Sequence, residues 1–503
     1  MKAIYQPYYT KSEPIVKYMI DMLDVKSGMR VLEPCAGDGV FVDALNSKIS
    51  NLSIDIFELD PVAIKILRNK YESFPNISIY SGDTLTDHRL SFYAKAGGIY
   101  DRIIANPPYG AWIDYEKRKK LKKLYPNLYV KETYTLFLYR TIQLLRNNGR
   151  LVFIIPDTFL NLHMHTNLRE FLLTHTKIIE ILIFPSSFFP NVSFGYAKLS
   201  IITLEKCLNK AECLSNKFRV ITGFKKVDDI SKLQNERIPY LKTYNFKQKD
   251  VYFNLDHALF ISDDENIMKL INNSTKRIGD IASCVTGIYT GNDKKYLRVK
   301  SHSFANSKRY LLVNPDEICT DYLDINNLLE GLDGKATFIP IVKGVGKERY
   351  VKESKWYIDW STEAVKHYKR DKKARFQNSQ YYFKEGIGVS MVKTKGLKAF
   401  LLEKRIFDQS VVGVFLINQD LMYYLLALLS SPTAAKIMNV INPTANNSAN
   451  YIKKIPFIEP DGATLQYINE RVKLIINKIL RGETNIKNIE NELHRAIKNI
   501  YGF

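Results

Sequence analysis

Cysteine and acidic side chains are scarce in this sequence, and long apolar runs are missing from it. Five cysteines are scattered through 503 residues, and the close pair Cys207 and Cys213 has no His or Cys neighbour at zinc-ligand spacing. This excludes a disulfide scaffold, so we expect reduced thiols and no metal. The longest apolar run, at 421–429, is about half a membrane span and predicts a buried helix.

No apolar stretch typical of a signal peptide is present in residues 1–14. Hydrophobic residues make up 46% of the chain and charged residues 25%, which excludes a disordered or collagen-like chain. The length suits two to four domains of about 100–200 residues each. We therefore expect a soluble, cytoplasmic protein with no membrane partner.

The shortage of acidic residues gives the chain a strongly positive charge. Lys and Arg number 73 and Asp and Glu 52, a net +21. Residues 1–200 hold 25 and 19 of these, a balance of +6, and residues 201–503 hold 48 and 33, a balance of +15. Basic surfaces attract polyanions, so nucleic acid is the leading partner. An anionic membrane, or a lysine-rich composition that serves solubility alone, are the alternatives.

Apolar strand-like runs alternate with amphipathic helical runs between residues 12 and 205. This pattern predicts an α/β fold, an open and mostly parallel sheet with helices on both faces. The predicted helices are 12–23, 39–45, 61–71 and 132–145, and the predicted strands are 30–34, 53–60, 77–83, 100–108, 149–156, 177–184 and 196–206. Ligands of such sheets bind beyond the carboxyl ends of the strands, so the loops there are the candidate site.

The loops after the first three predicted strands are suited to an adenosine-type ligand. Gly37 and Gly39 allow a tight turn and close approach of a ligand. The third glycine of a dinucleotide fingerprint is missing, which disfavours a pyrophosphate cofactor. Glu58 at the second strand end could accept hydrogen bonds from ribose hydroxyls, or be merely solvated. Asp83 offers a carboxylate to the exocyclic amine of adenine.

The loop after the fourth strand reads Asn106-Pro107-Pro108-Tyr109. The two prolines fix φ and lack N–H groups, so the carbonyls are held rigid and remain able to accept hydrogen bonds. The Asn106 amide oxygen and the Pro107 carbonyl could both accept from one amino group, which would localise the nitrogen lone pair. Tyr109 supplies a flat face for stacking a heteroaromatic ring. The loop therefore predicts methylation chemistry at an amino nitrogen.

These motifs together resemble the amino-group DNA methyltransferases that use S-adenosylmethionine, in their gamma arrangement. The resemblance covers about residues 5–206 and rests on segments in the family's order: YYTKSEPIVKYM at 8–19, LEPCAGDG at 32–39, FELDP at 57–61, SGD at 81–83 and NPPY at 106–109. It implies a Rossmann-like methyltransferase domain followed by a mixed α+β target-recognition domain. We expect these domains at 1–245 and 246–503.

The resemblance also implies roles for individual residues. Those implied around the cofactor are Glu33, Ala36, Gly37 and Gly39 at its methionine part, Glu58 at the ribose, Asp83 at the adenine, and Thr10, where the family's usual Thr-Pro is absent. Those implied around the extruded target adenine are Asn106, Pro107, Pro108 and Tyr109, with Phe194 or Tyr196 on its other face unless these two are core residues.

DNA contacts are expected from a basic run and from the second half. The run at 117–123 begins with Lys117 and Arg118, and it either binds phosphates or is a solvated helix face. Thr290 and Asn292 lie in a segment that resembles the opening of recognition domains. A polar connector is expected over 207–250, and the last 40 residues predict two amphipathic helices.

The implied function is sequence-specific transfer of a methyl group from S-adenosylmethionine to N6 of a flipped adenine in duplex DNA. No metal is needed. The resemblance places the enzyme in a restriction–modification system, with a separate cognate endonuclease as a further partner. Methylation of an RNA base amine or of a protein glutamine amide is the alternative, and a DNA-recognition module without catalysis is the non-enzymatic one.

Overall fold

The computed structural model describes residues 12–110, 113–189, 198–233, 235–344, 346, 348–392, 396–442 and 446–502. The chain divides into two compact units, Met1–Ile261 and Ser262–Phe503. Each unit has its own hydrophobic core.

The first unit is a twisted sheet with helices packed against it. Its helices are α1 Glu13–Leu23, α2 Val40–Lys48, α3 Pro61–Tyr71, α4 His88–Lys95, α5 Tyr115–Leu124, α6 Thr133–Leu144, α7 Thr166–His175, α8 Lys210–Ser215, α9 Asp228–Lys232 and α10 Gln248–Phe253. Its strands are β1 Arg30–Glu33, β2 Ser53–Glu58, β3 Ile77–Ser81, β4 Tyr100–Ala105, β5 Leu145–Pro156, β6 Thr176–Pro185, β7 Lys198–Lys206, β8 Lys217–Thr222 and β9 Lys242–Lys247.

Among the described residues, the strand order is β3-β2-β1-β4-β5-β7-β6-β8-β9. The run from β3 to β5 is parallel, whereas β7 runs antiparallel to both of its neighbours. The predicted α/β fold with a mostly parallel sheet is confirmed. The parallel strands place their carboxyl ends at one edge, where the loops after β1, β2, β3 and β4 meet.

Aspartates begin several of the helices that follow these loops. The Asp60 side chain accepts from Val62 N at 3.0 Å to cap α3, and Pro61 takes the first helical position. Asp114 does the same for α5, accepting from Lys117 N at 2.8 Å. Each cap satisfies backbone N–H groups that have no partner inside the helix, so the sequence determines where these helices start.

The first unit extends beyond the expected boundary at 245, to Ile261. The side chain of Gln248 is fully buried and explains the difference. Its Nε2 donates to the carbonyls of Leu173, at 2.8 Å, and Thr176, at 2.7 Å, and its Oε1 accepts from Ile178 N at 3.1 Å. These bonds fasten α10 to the first unit.

The segment 207–250 is more ordered than the polar connector that its composition suggested. It contains β8 and β9, which pair antiparallel and extend the large sheet, as well as α8 and α9. Every second residue of β9 is exposed, because an edge strand buries one face alone. That alternation of lysines with aromatic residues was misinterpreted as a connector.

The second unit combines two small sheets with helices. Its helices are α11 Glu265–Asn273, α12 Ile278–Ile281, α13 Asp293–Tyr296, α14 Thr362–Arg370, α15 Met422–Leu429, α16 Pro432–Ile441, α17 Ala449–Ile452, α18 Gly462–Leu480 and α19 Lys487–Ile500. Its strands are β10 Ala282–Thr286, β11 Leu297–Val299, β12 Leu311–Leu312, β13 Phe338–Val342, β14 Trp356–Asp359, β15 Ile387–Ser390, β16 Ala399–Leu401, β17 Ile406–Phe407 and β18 Val411–Leu416. The predicted mixed α+β architecture is confirmed.

The apolar run at 421–429 forms a buried helix, as predicted, because nearly all of α15 lies inside the second unit. No single helix in the described ranges is long and apolar enough to cross a membrane. The stretches Gln419–Leu429 and Pro432–Ile441 reach that length and apolarity when taken together, with a 77° bend between them. The predicted pair of C-terminal helices is present as α18 and α19.

Candidate functional site

The loop between β1 and α2 is a tight turn that requires glycine. Gly37 and Gly39 have φ values of +57° and +83°, in the left-handed region that glycine tolerates. A Cβ atom added to Gly39 would lie 2.6 Å from the hydroxyl oxygen of Tyr71 and 3.0 Å from Leu67 Cδ2. The turn is closed by Gly39 N, which donates to the carbonyl of Ala36 at 2.9 Å. The loop is thus shaped by both backbone conformation and crowding.

Glu58 at the end of β2 holds this loop in place. Its Oε2 accepts from Gly37 N at 2.8 Å, and its Oε1 accepts from Leu59 N at 2.7 Å and Asp60 N at 2.9 Å. A carboxylate oxygen has two lone-pair positions, so Oε2 keeps one for a further donor. Glu58 is therefore more than a solvated strand end. It joins the loops after β1 and β2 and retains acceptor capacity toward a ligand.

Glu33, the last residue of β1, is a buried acid whose charge is poorly compensated. Its side chain is 2% exposed, and Oε2 has no hydrogen-bond partner among the described residues. Burial, and then the nearby Glu58 carboxylate, raise the pKa of Glu33 well above its usual value. A buried polar atom without a partner is uncommon and costly. A cationic or N–H donor at this position would relieve that cost.

Asp83, in the loop after β3, already has a cationic partner. Its Oδ1 accepts from Leu85 N at 3.0 Å, and its Oδ2 lies 2.8 Å from Nζ of Lys117, on α5. Tyr125, directly after α5, donates its hydroxyl to the carbonyl of Leu85 at 2.7 Å. The predicted adenine-binding carboxylate and a predicted phosphate-binding lysine therefore form one ion pair.

The Asn-Pro-Pro-Tyr loop follows β4, next to the glycine loop. The Sγ atom of Cys35 donates to the backbone carbonyl of Asn106 at 3.7 Å, which joins the two loops. The carbonyl of Pro108 accepts from Thr133 Oγ1 at 2.5 Å. The Pro107 carbonyl receives no hydrogen bond from the residues that the structure describes. A rigid acceptor is therefore left over in the predicted position.

Tyr109 is less accessible than its predicted stacking role suggests. The side chain is 1% exposed and belongs to the core of the first unit. A base that stacks on this ring must first displace the side chains that cover it. The site residue is in place, but the stacking face is closed in this conformation.

A further carboxyl group at the same edge was missed from the sequence. Asp157 directly follows β5, whose Phe153 pairs with Ala105 of β4, so it lies at the same edge of the sheet as the Asn-Pro-Pro-Tyr loop. Burial raises the pKa of Asp157 to about 6, although the Lys198 cation opposes the shift. The available signal was an acid placed immediately after an apolar strand.

Helix α5 carries most of the basic run at 117–123. Lys117 pairs with Asp83, and Arg118 donates from Nη2 to the carbonyl of Ile113 at 3.2 Å; both are half-buried. The fully exposed cations are the four lysines on the rest of the helix: Lys119, Lys120, Lys122 and Lys123. The surface offered to a polyanion therefore differs from the two residues that the sequence predicted.

The remaining predicted residues fall into two groups. Thr10, Phe194 and Tyr196 lie outside the described residues. In the second unit, Thr290 is 2% exposed and its Oγ1 donates to Asp293 Oδ1 at 2.6 Å, so a DNA contact by this hydroxyl does not fit its burial. Asn292 is exposed, and its side chain caps α13.

The acceptors gathered at this edge fit the donor groups of S-adenosylmethionine. The unpartnered oxygen of Glu33 suits the ammonium of the methionine part. The free lone pair of Glu58 suits a ribose hydroxyl, and Asp83 suits an adenine amine once Lys117 moves away. Within the described ranges, no group of three or more His, Cys, Asp or Glu side chains is placed to hold a metal ion.

Comparison with known proteins gives relatives for part of the chain. Residues 39–189 match the family described as Eco57I restriction-modification methylase. The Type II methyltransferase M.AccI of Acinetobacter calcoaceticus is 27% identical over 291 residues, 56% of this chain and 51% of the relative. The Type II methyltransferase M.HincII of Haemophilus influenzae is 31% identical over 180 residues, 34% of this chain and 32% of the relative. The chain thus spans about half or less of the length of these relatives.

Two solved structures share the fold over nearly the whole chain. A nuclease-deletion mutant of the Type ISP restriction-modification enzyme LlaGI, in complex with a DNA substrate mimic, gives a TM-score of 0.57 at 14% identity. That match covers 95% of this chain and 55% of the other. The DrdV–DNA complex gives 0.55 at 13% identity, covering 93% and 57%. These identities show the fold alone, whereas the sequence matches confirm the resemblance to restriction–modification methyltransferases where they align.

Proposed function

We propose that the chain is a DNA methyltransferase of a restriction–modification system, which transfers a methyl group from S-adenosylmethionine to N6 of adenine in duplex DNA. The observation that carries the proposal is the Asn-Pro-Pro-Tyr loop after β4, bonded to the glycine loop through Cys35 Sγ and the Asn106 carbonyl at 3.7 Å. The methyl acceptor and the methyl donor then bind to adjacent loops of one sheet edge.

The cofactor, when bound, supplies a methyl group activated by a sulfonium. The residues of this chain that would hold it are Glu33, Glu58 and Asp83, each through a carboxylate oxygen that accepts a hydrogen bond. Gly37 and Gly39 keep the loop beside the ligand free of side chains. All three acids lie after or at the end of parallel strands, so the sheet itself sets their spacing.

Asn106 and Pro107 would hold the target amine. The amide oxygen and the rigid Pro107 carbonyl each accept one N–H, which draws the nitrogen out of conjugation and directs its lone pair toward the methyl group. Catalysis is then positioning and electrostatic stabilisation by fixed acceptors. The base must leave the duplex to reach this loop, at a cost of a few kcal/mol, and it must open the packing over Tyr109.

Duplex DNA as the substrate is supported by the basic charge of the chain, +21, and by the exposed lysines of α5. Two structures that share this fold over more than nine-tenths of the chain were solved with DNA or a DNA substrate mimic. Cytoplasmic location, where genomic DNA is accessible, and a separate cognate endonuclease complete the proposal.

The experiment is methyl transfer from labelled S-adenosylmethionine to duplex DNA, to RNA and to a protein extract. Label in DNA, recovered as N6-methyladenine after digestion to nucleosides, is the expected result. Label confined to RNA or protein, or recovered as a methylated cytosine, would contradict the proposal. Asn106→Ala should lower the transfer rate by about 10²–10³-fold, as loss of one fixed polar contact does elsewhere. It should leave calorimetric cofactor binding intact, with Asn69→Ala, an exposed asparagine on α3, as the control.

A further inference from the structure

The ion pair between Lys117 and Asp83 joins the two predicted binding regions of the first unit. Lys117 Nζ lies 2.8 Å from Asp83 Oδ2, and the two side chains are 32% and 16% exposed. Asp83 Oδ1 already accepts from Leu85 N at 3.0 Å. Lys117 therefore takes the oxygen that is left for an adenine amine.

The position of Lys117 is set by the fold. Leu121 of α5 is fully buried, and the Tyr125 hydroxyl donates to the Leu85 carbonyl at 2.7 Å, so the helix is fastened to the loop that contains Asp83. Asp114 caps its first turn by accepting from the backbone N of Lys117 at 2.8 Å. The ammonium is thus delivered to Asp83 by an anchored helix, unlike a mobile surface lysine.

We propose that Lys117 couples cofactor binding to DNA binding, an inference that rests on the proposed function. Without the adenosyl group, Lys117 neutralises Asp83 and contributes no cation to the DNA surface. When the adenine amine donates to Asp83 Oδ2, the ammonium is displaced. It then joins the four exposed lysines of α5, two to six residues further along the same helix, and binds a phosphate.

This exchange has a reciprocal consequence. Cofactor binding increases the affinity for DNA, and DNA binding increases the affinity for the cofactor by the same factor, because the two equilibria are linked. One added phosphate contact steepens the dependence of log affinity on log salt by about 0.9. Between about 50 and 200 mM salt, that increment is an extra loss of about 3.5-fold in DNA affinity.

The test measures DNA affinity against salt concentration by fluorescence anisotropy, with and without a non-reactive analogue of S-adenosylmethionine. The wild-type slope should steepen by about 0.9 when the analogue is added. Lys117→Gln should show one slope in both conditions, and Lys117→Arg should restore the increment. Lys120→Gln, at an exposed position of the same helix, should lower the slope equally in both conditions and keep the increment.

Calorimetry of the analogue with the same full-length proteins separates the two levels of the proposal. If the analogue and DNA both bind and the wild-type slope does not change, or if Lys117→Gln retains the increment, the coupling role is overturned and the proposed function stands. If the analogue does not bind at all, the proposed function fails and the coupling inference fails with it.

Discussion

Replacing Gly39 with alanine tests the physical account of the loop between β1 and α2. The new Cβ would lie 2.6 Å from the Tyr71 hydroxyl oxygen and 2.9 Å from its Cε2 atom, at a backbone φ of +83°. Gly28 has nearly the same φ, +82°, and nothing within 4 Å of its Cβ position. Gly28→Ala therefore measures backbone strain alone, and Gly39→Ala measures that strain plus the collision.

The two costs differ in size. Alanine in the left-handed region costs about 1–2 kcal/mol. At Gly39 the tyrosine must also move, and its hydroxyl lies 2.9 Å from the Gly39 carbonyl and 2.5 Å from Asp43 Oδ1. Loss of these hydrogen bonds adds about 1 kcal/mol for each one. We expect Gly39→Ala to lower the free energy of unfolding by about 3–4 kcal/mol, against about 1–2 kcal/mol for Gly28→Ala.

Urea unfolding followed by circular dichroism gives both values, and calorimetry gives the affinity for S-adenosylmethionine. Gly39→Ala should weaken cofactor binding, because the Gly37 N–H to Glu58 bond belongs to the same turn. Gly39→Ala/Tyr71→Phe should recover part of the stability, since the hydroxyl oxygen makes the closest contact. Equal destabilisation by Gly39→Ala and Gly28→Ala would refute the argument from crowding.

Three further substitutions test charges at the site. Glu33→Gln removes a buried acid whose pKa is raised by burial, so thermal denaturation should show a more stable free protein at neutral pH and a smaller stabilisation by cofactor. For Asp157, a pKa raised from 3.8 to about 6 means that stability is fully present below about pH 4 and is lost as the pH rises through 6. Asp157→Asn should therefore unfold with up to about 3 kcal/mol more free energy than wild type above pH 7 and flatten that pH dependence, and identical profiles would contradict it. Exchanging the exposed lysines of α5 for Gln should lower the salt slope of DNA binding by about 0.9 for each phosphate that the helix no longer binds and leave cofactor affinity unchanged, as titrations would show: Lys119, Lys120, Lys122 and Lys123.

The candidate site was predictable because its residues follow apolar strands. The runs that became β1, β2, β3 and β4 are short, apolar and separated by helical patterns, so their order along the chain places Glu33, Glu58, Asp83 and Asn106 at one sheet edge. Strands β8 and β9 were missed because their exposed faces are polar, and polarity was the signal used for a connector. The end of the first unit was missed because the burial of Gln248 depends on three carbonyl and amide groups distant in sequence.

The sequence by itself determined the sheet, the acids and glycines of the loops, and the Asn-Pro-Pro-Tyr motif, because these follow from local periodicity and from residue types that few other chemistries require. Tertiary structure alone decided which partners those residues have. It closed the face of Tyr109, left an oxygen of Glu33 unpartnered among the described residues, and set Lys117 against Asp83. The physical reason is that burial and ion pairing depend on contacts between segments far apart in the chain, which hydrophobic periodicity does not encode.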